Sequence, residues 1–211
     1  MSGVWMPAEI EIVEALTRCV GVMTDGQLVD AGWSCGAAGH QIRSFLSRLL
    51  DADLLQRTIV NVHPRVFLDK PLVAWQPGAD RPDLQCARAT IRERWQQPTQ
   101  PTEVYWASRR AANLFGSTSR DLPDLFHRDH DLLLAEVYVF YRRHRKAWAK
   151  RWLGTGVTPQ ASYRTKNPDA IVFGDDGRPA CVVESSGHCG LKQLKSFHEH
   201  CVCFDLPYEI W

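Results

Sequence analysis

The chain has 211 residues, enough for one large domain or two small ones, and a net charge of only +1, so any nucleic-acid contact must come from local basic patches. With 45% hydrophobic and 23% charged residues it reads as an ordinary globular chain, and no run of about 18 apolar residues marks a membrane span. Seven cysteines without a C-x-x-C pair, and no charged-then-apolar leader at the N-terminus, predict reduced thiols in a cytoplasm.

The first unit is expected at residues 5–76. Ile10, Val13, Leu16 and Val20 recur at helical spacing after Pro7, which suits a first helical turn. Thr24 is a candidate N-cap for a short helix through Leu28 and Val29, and Gly32 to Gly36 is a break. A third helix is predicted from about Ala37 to Ala52. Its apolar face is Ile42, Phe45, Leu46, Leu49 and Leu50, and its polar face carries His40, Gln41, Arg43, Ser44, Ser47 and Arg48. Leu54 to Val60 then reads as a strand, Asn61 to Pro64 as a turn, and Arg65 to Leu68 as a returning strand.

Three helices followed by a hairpin resemble a winged helix-turn-helix, and the run SFLSRLLDADLLQR looks like a recognition helix leading into its wing. That resemblance implies a third helix lying in the major groove of double-stranded DNA. Arg43 and Gln41 then suit base edges, and Ser44 and Arg48 suit phosphates, with His40 on the same face. Arg57, His63 and Arg65 would sit on the wing. The alternative is a small helical unit whose third helix has an ordinary solvated face.

Residues 77–127 read as a linker or connecting segment punctuated by Pro77, Gly78, Pro82, Pro98 and Pro101. Within it, a helix is expected from Cys86 to Trp95, a strand at Thr102–Trp106 and a short helix from Ser108 to Phe115. A long helix follows from about Arg128 to Trp152. Its last part packs Arg142, Arg143, Arg145, Lys146, Lys150 and Arg151 between aromatics. Basic residues suit a helix C-terminus in any case, so this face is either solvated or a phosphate-contacting surface through Arg145, Lys146 and Lys150.

The last unit is expected at residues 128–211, with strands at Gln160–Arg164, Ala170–Phe173 and Ala180–Glu184, a helix from Cys189 to Cys203, and a final strand at Pro207–Trp211. Two strands joined by the Gly174–Gly177 turn set Asp169 and Glu184 at neighbouring positions of one sheet. Taken singly, Asp169 is a turn-initiating residue and Glu184 a polar strand end; taken together, paired carboxylates suit a divalent metal such as Mg or Mn. His188, Cys189, His198, His200, Cys201 and Cys203 are residue types that favour zinc, but their spacing gathers no four ligands on one helical face.

The element order and the two acids resemble the PD-(D/E)XK, or restriction-endonuclease-like, superfamily. Its third element is a Lys two residues past the second acid, and Ser186 stands there. The resemblance implies Asp169 and Glu184 as metal ligands, a further acid from Asp131 or Glu136, and Lys192, Lys195 or His188 in place of the missing Lys. The helix-turn-helix, HDLLLAEVYVFYRR on the long helix and PDAIVF…VVES near the end are together similar to the replication-relaxation family of bacterial mobile elements and plasmids. The fold class expected is thus α+β, a winged helix followed by a restriction-endonuclease-like α/β unit. The leading functional expectation is a sequence-specific double-stranded-DNA-binding regulator, possible as a homodimer, with a catalytically degenerate nuclease-like unit. The runner-up is a metal-dependent endonuclease acting through Asp169 and Glu184, and the third reading is a protein-binding module.

Overall fold

The computed structural model describes residues 4–33, 39–118, 122, 127–154, 157, 168–187 and 189–211. The fold is mixed α+β with two sheets. Helix α1 (Pro7–Glu14) starts on its proline, and the Glu9 carboxylate reaches back to the Met6 amide at 2.7 Å. It runs into a π-helical turn at Ala15–Cys19, closed by the Val20 amide on the Ala15 carbonyl. Strand β1 (Met23–Thr24) ends in a capping box. The Thr24 hydroxyl accepts from the Gln27 amide, the Gln27 side chain accepts from the Thr24 amide, and helix α2 (Asp25–Asp30) begins. Helix α3 (Gly39–Asp51) buries Ile42, Leu46 and Leu49 as its periodicity predicts, while Ala37 and Ala38, the expected start, lie outside the described residues.

Strand β2 (Leu55–Val62) follows, but the expected return at Arg65–Leu68 is not a strand. β2 instead pairs over its whole length, from Leu55 with Ala107 to Val62 with Gln100, with the distant antiparallel strand β4 (Gln100–Ala107). Two forces divert the chain after Val62. Pro64 has no amide to donate to a ladder, and acids on another helix capture the side chains of His63 and Arg65. The first sheet has the order β1-β4-β2.

Between β2 and β4 lie strand β3 (Val73–Trp75) and helix α4 (Leu84–Arg94), the latter capped by Asp83 on the Gln85 and Cys86 amides. The segment expected as a linker therefore supplies the central strand of the first sheet. Conversely β3, which no sequence signal marks and whose residues fall in the range expected for the first unit, pairs antiparallel with the last strand of the chain. Helix α5 (Arg109–Phe115) is capped by Ser108 on the Ala111 amide and ended by Gly116 at φ +67, where a left-handed residue closes the last turn.

The long helix is shorter than its pattern suggests. Helix α6 (Arg128–His144) ends where Arg145 leaves helical geometry, and a single turn, α7 (Lys146–Ala149), leads into strand β5 (Trp152–Gly154). Trp152 is pulled out of the helix by burial between Tyr138 and Tyr141 and by its indole N–H on the Cys19 carbonyl at 3.0 Å. The expected strand at Gln160–Arg164 lies outside the described residues. Strands β6 (Ala170–Phe173) and β7 (Pro179–Glu184), helix α8 (Leu191–Cys203) and strand β8 (Tyr208–Ile210) then fall where the sequence puts them. The second sheet has the order β3-β8-β7-β6-β5, with β5, β6 and β7 an antiparallel meander and β8 parallel to β7.

Alternation along these strands feeds both faces. Ala170, Val172, Cys181 and Val183 join the core shared with α1, α3 and α6, whereas Val182, Tyr208 and Ile210 pack against α8 and α4. The sheet is thus the middle of three layers. No helix among the described residues is long and apolar enough to cross a membrane.

Candidate functional site

The antiparallel register pairs Ala170 with Val183, so Asp169 and Glu184 stand at facing ends of β6 and β7. Their side chains go to different partners. Asp169 Oδ2 accepts from the Ser185 amide at 2.8 Å and the Ser185 hydroxyl at 3.0 Å, and it lies 3.0 Å from His130 Nε2. His130, in the first turn of α6, sets its other nitrogen 2.9 Å from Asp131 Oδ1. Glu184, fully buried, accepts from the Cys189 thiol at 3.9 Å.

His130 Nε2 also lies 3.2 Å from Ser185 Oγ, so Ser185, His130 and Asp131 have the outline of a nucleophile, base and orienter. Two facts remove that reading. Ser185 is 0% exposed, and its hydroxyl donates to a carboxylate rather than to the ring. Both ring nitrogens face carboxylate oxygens, which only accept when ionised, so the ring is a doubly protonated imidazolium with no lone pair to act as base. Burial alone pulls its pKa down, but the hydrogen bonds and charges of Asp131 and Asp169 outweigh it and hold it up at about 10.

A divalent metal does not fit this donor set. Asp169 Oδ2 already receives hydrogen bonds, Asp131 faces a cation, and no group of three or more His, Cys, Asp or Glu suited to a metal occurs among the described residues. Lys192 and Lys195 are exposed on α8, and Ser186, two residues past Glu184, is fully buried. Of the zinc candidates, His198 Nδ1 sits 2.8 Å from the Tyr208 hydroxyl. Burial and the charge of Glu184 push the Cys201 thiol up to about 12, Cys203 is exposed, and His188 lies outside the described residues.

The polar face of α3 is open. His40, Gln41, Arg43, Ser44, Ser47 and Arg48 are all exposed. Arg43, whose side chain is 71% exposed, makes a 3.3 Å pair with Asp25, and Arg57 on β2 makes another with Glu103. Exposed pairs of this kind contribute at most about 1 kcal/mol, so both guanidinium groups are only weakly held. Arg48 anchors the helix instead, with its guanidinium 3.3 Å from buried Glu9 and over the Trp5 ring.

Three other basic candidates are turned inward. Arg65 places Nε and Nη2 on Glu136 at 2.6 and 2.9 Å and Nη1 on Asp30 at 2.6 Å, a bidentate fork that ties the end of β2 to α6. His63 is held 2.7 Å from Asp129 and packs edge-on against Trp95. Arg145 binds Glu209 at 2.6 Å, beside the Tyr141 hydroxyl and the Trp211 indole on the same carboxylate. Lys146 on α7 and Lys150 just past its end remain exposed, at the rim of a cleft of about 430 Å³ that also holds Arg18 and Arg142.

His130 and Arg65 are the residues the sequence undersells. A His between two Asp at the start of an apolar helix, in HRDHD, was the available signal for the first. Nothing local marks Arg65 as internal, because its partners lie on α2 and α6.

No family model, curated protein or solved structure matches this chain.

Proposed function

We propose that this chain is a sequence-specific double-stranded-DNA-binding protein, a regulator belonging to a mobile element or plasmid, whose C-terminal half is a nuclease-like scaffold that does not cut. The observation that carries this reading is the exposed polar face of α3 in its setting. The order α1, β1, α2, α3, β2, β4 with sheet order β1-β4-β2 resembles that of a winged helix, in which the third helix would read the major groove, and β3 and α4 lie between the two strands where such a fold has its wing loop. In favour of the scaffold reading are the meander β5-β6-β7 followed by α8 and a parallel β8, the order of the restriction-endonuclease-like core, and an acid pair engaged by His130, Ser185 and Cys189.

Gln41, Arg43 and Ser44, with Arg57 beside them, are the groove contacts, and Lys146 and Lys150 a separate phosphate contact. His63, Arg65 and Arg145 drop out because their side chains are engaged by internal carboxylates. A gel with mixed duplexes, with and without Mg²⁺ or Mn²⁺, reads shift and cleavage together. A salt-sensitive shift of intact DNA is expected in every lane. Metal-dependent cutting that Glu184→Ala abolishes would replace this reading with an endonuclease. Arg43→Ala is expected to relax sequence preference, whereas Lys150→Ala weakens all duplexes alike; equal effects would sink the assignment of α3 as reader.

A further inference from the structure

In nuclease-like centres, the carboxylates at the ends of two adjacent strands are kept ionised in a buried place by a divalent cation. This chain has the carboxylates and buries them, with Asp169 8% and Glu184 1% exposed. Burying an uncompensated carboxylate is expensive, so a cation must be supplied from somewhere. Beside Asp169 stands the His130 ring, with Asp131 Oδ1 at 2.9 Å on one nitrogen and Asp169 Oδ2 at 3.0 Å on the other. His130 lies in the first turn of α6, where the helix dipole disfavours a positive charge, so the two acids rather than the helix must stabilise it.

We infer that His130 is a resident cation standing in for the divalent metal of a nuclease-like centre: its imidazolium bridges Asp131 and Asp169 and closes the site to metal. The surroundings are built around the ring. A Cβ on Gly187 would come within 3.1 Å of His130 Cβ and 3.3 Å of its Cδ2, so the turn after β7 lies close against the histidine, where a larger residue would crowd the ring. The Trp95 indole N–H holds that turn through the Gly187 carbonyl at 2.8 Å. The Ser185 amide and hydroxyl donate to the same Asp169 oxygen that faces the ring and hold it in place. The arrangement pins the start of α6 to the ends of β6 and β7, as a metal would. The analogy with a metal centre rests on the nuclease-like reading above; the bridge itself does not.

The test is a Mn²⁺ titration of the purified full chain by calorimetry, with no DNA present, so that a failure to bind duplexes bears on the regulator reading alone. The wild type is expected to show no saturable uptake. His130→Ala, checked for folding by circular dichroism, is expected to take up Mn²⁺ saturably, and His130→Ala/Asp169→Asn to lose that uptake. Wild-type uptake that Asp169→Asn abolishes overturns the inference, as does a folded His130→Ala that gains nothing. Should His130→Ala not fold, the wild-type ring decides by nitrogen NMR at neutral pH. Two protonated ring nitrogens support the bridge, and one bare nitrogen overturns it.

Discussion

Arg65 looks from its sequence neighbours like a surface arginine on a wing, yet its side chain is only 19% exposed and all three guanidinium nitrogens meet carboxylate oxygens. Removing it leaves Glu136 buried and uncompensated, so Arg65→Ala is expected to lower unfolding free energy by about 3 kcal/mol in urea. An Arg65→Met/Glu136→Leu pair should recover much of that, because it removes both charges together. His130 sets a pH dependence. Its folded pKa of about 10 lies above the ordinary 6.5, so its contribution is complete below 6.5 and is lost as pH rises through the folded value. Stability should therefore fall toward alkaline pH in the wild type and fall less in His130→Gln, read as the shift in urea midpoint. The thiols separate by burial. Cys86 and Cys203 are exposed, whereas burial pushes Cys19 up to about 11 and Cys181 to about 12. Peptide mapping after brief alkylation should find label on the first two and none on the buried pair.

Between elements, the decisive contacts are close backbone approaches. Strand β5 lies so near the π-helical turn that a Cβ on Gly154 would meet the Cys19 carbonyl oxygen at 2.3 Å and its carbon at 2.9 Å. Both are main-chain atoms already committed to Trp152, whose indole donates to that same carbonyl. Gly154→Ala is thus expected to destabilise by about 3 kcal/mol or to part β5 from the turn, seen as a lowered melting temperature. The β2–β4 ladder makes the same point about register. Eight residue pairs hold two strands nearly forty residues apart in sequence, and the first sheet has no centre without β4.

Among the described residues, the most extensive hydrophobic core runs from Ala8 and Ile12 in α1 through Tyr138 and Tyr141 in α6 to Trp211, with smaller clusters beside it. The two sheets share this core, and the β3–β8 pairing joins an early strand to the last one. Unfolding should therefore be a single transition, coincident by tryptophan fluorescence and far-UV dichroism. A fragment of residues 5–76 lacks β4 and the α6 partners of Arg65 and Gln27, and should be largely unfolded by its amide dispersion; a folded fragment would refute the shared-core argument.

What the sequence determined by itself was local. Capping chemistry at Thr24, apolar spacing in α3 and α6, and the Gly-rich turn between β6 and β7 each act within a few residues, so their elements are legible along the chain. The facing positions of Asp169 and Glu184 were legible for the same reason, because a short hairpin sets its own register. Tertiary structure decided what depends on distant partners: that β2 pairs with β4 instead of with Arg65–Leu68, that Trp152 leaves its helix, and that His63, Arg65 and Arg145 turn inward. It also decided the chemistry of the acid site. A histidine and two aspartates in sequence can bind metal, move protons or sit in water. Only their placement in the fold, with both ring nitrogens against carboxylates, holds the His130 ring as a cation at neutral pH.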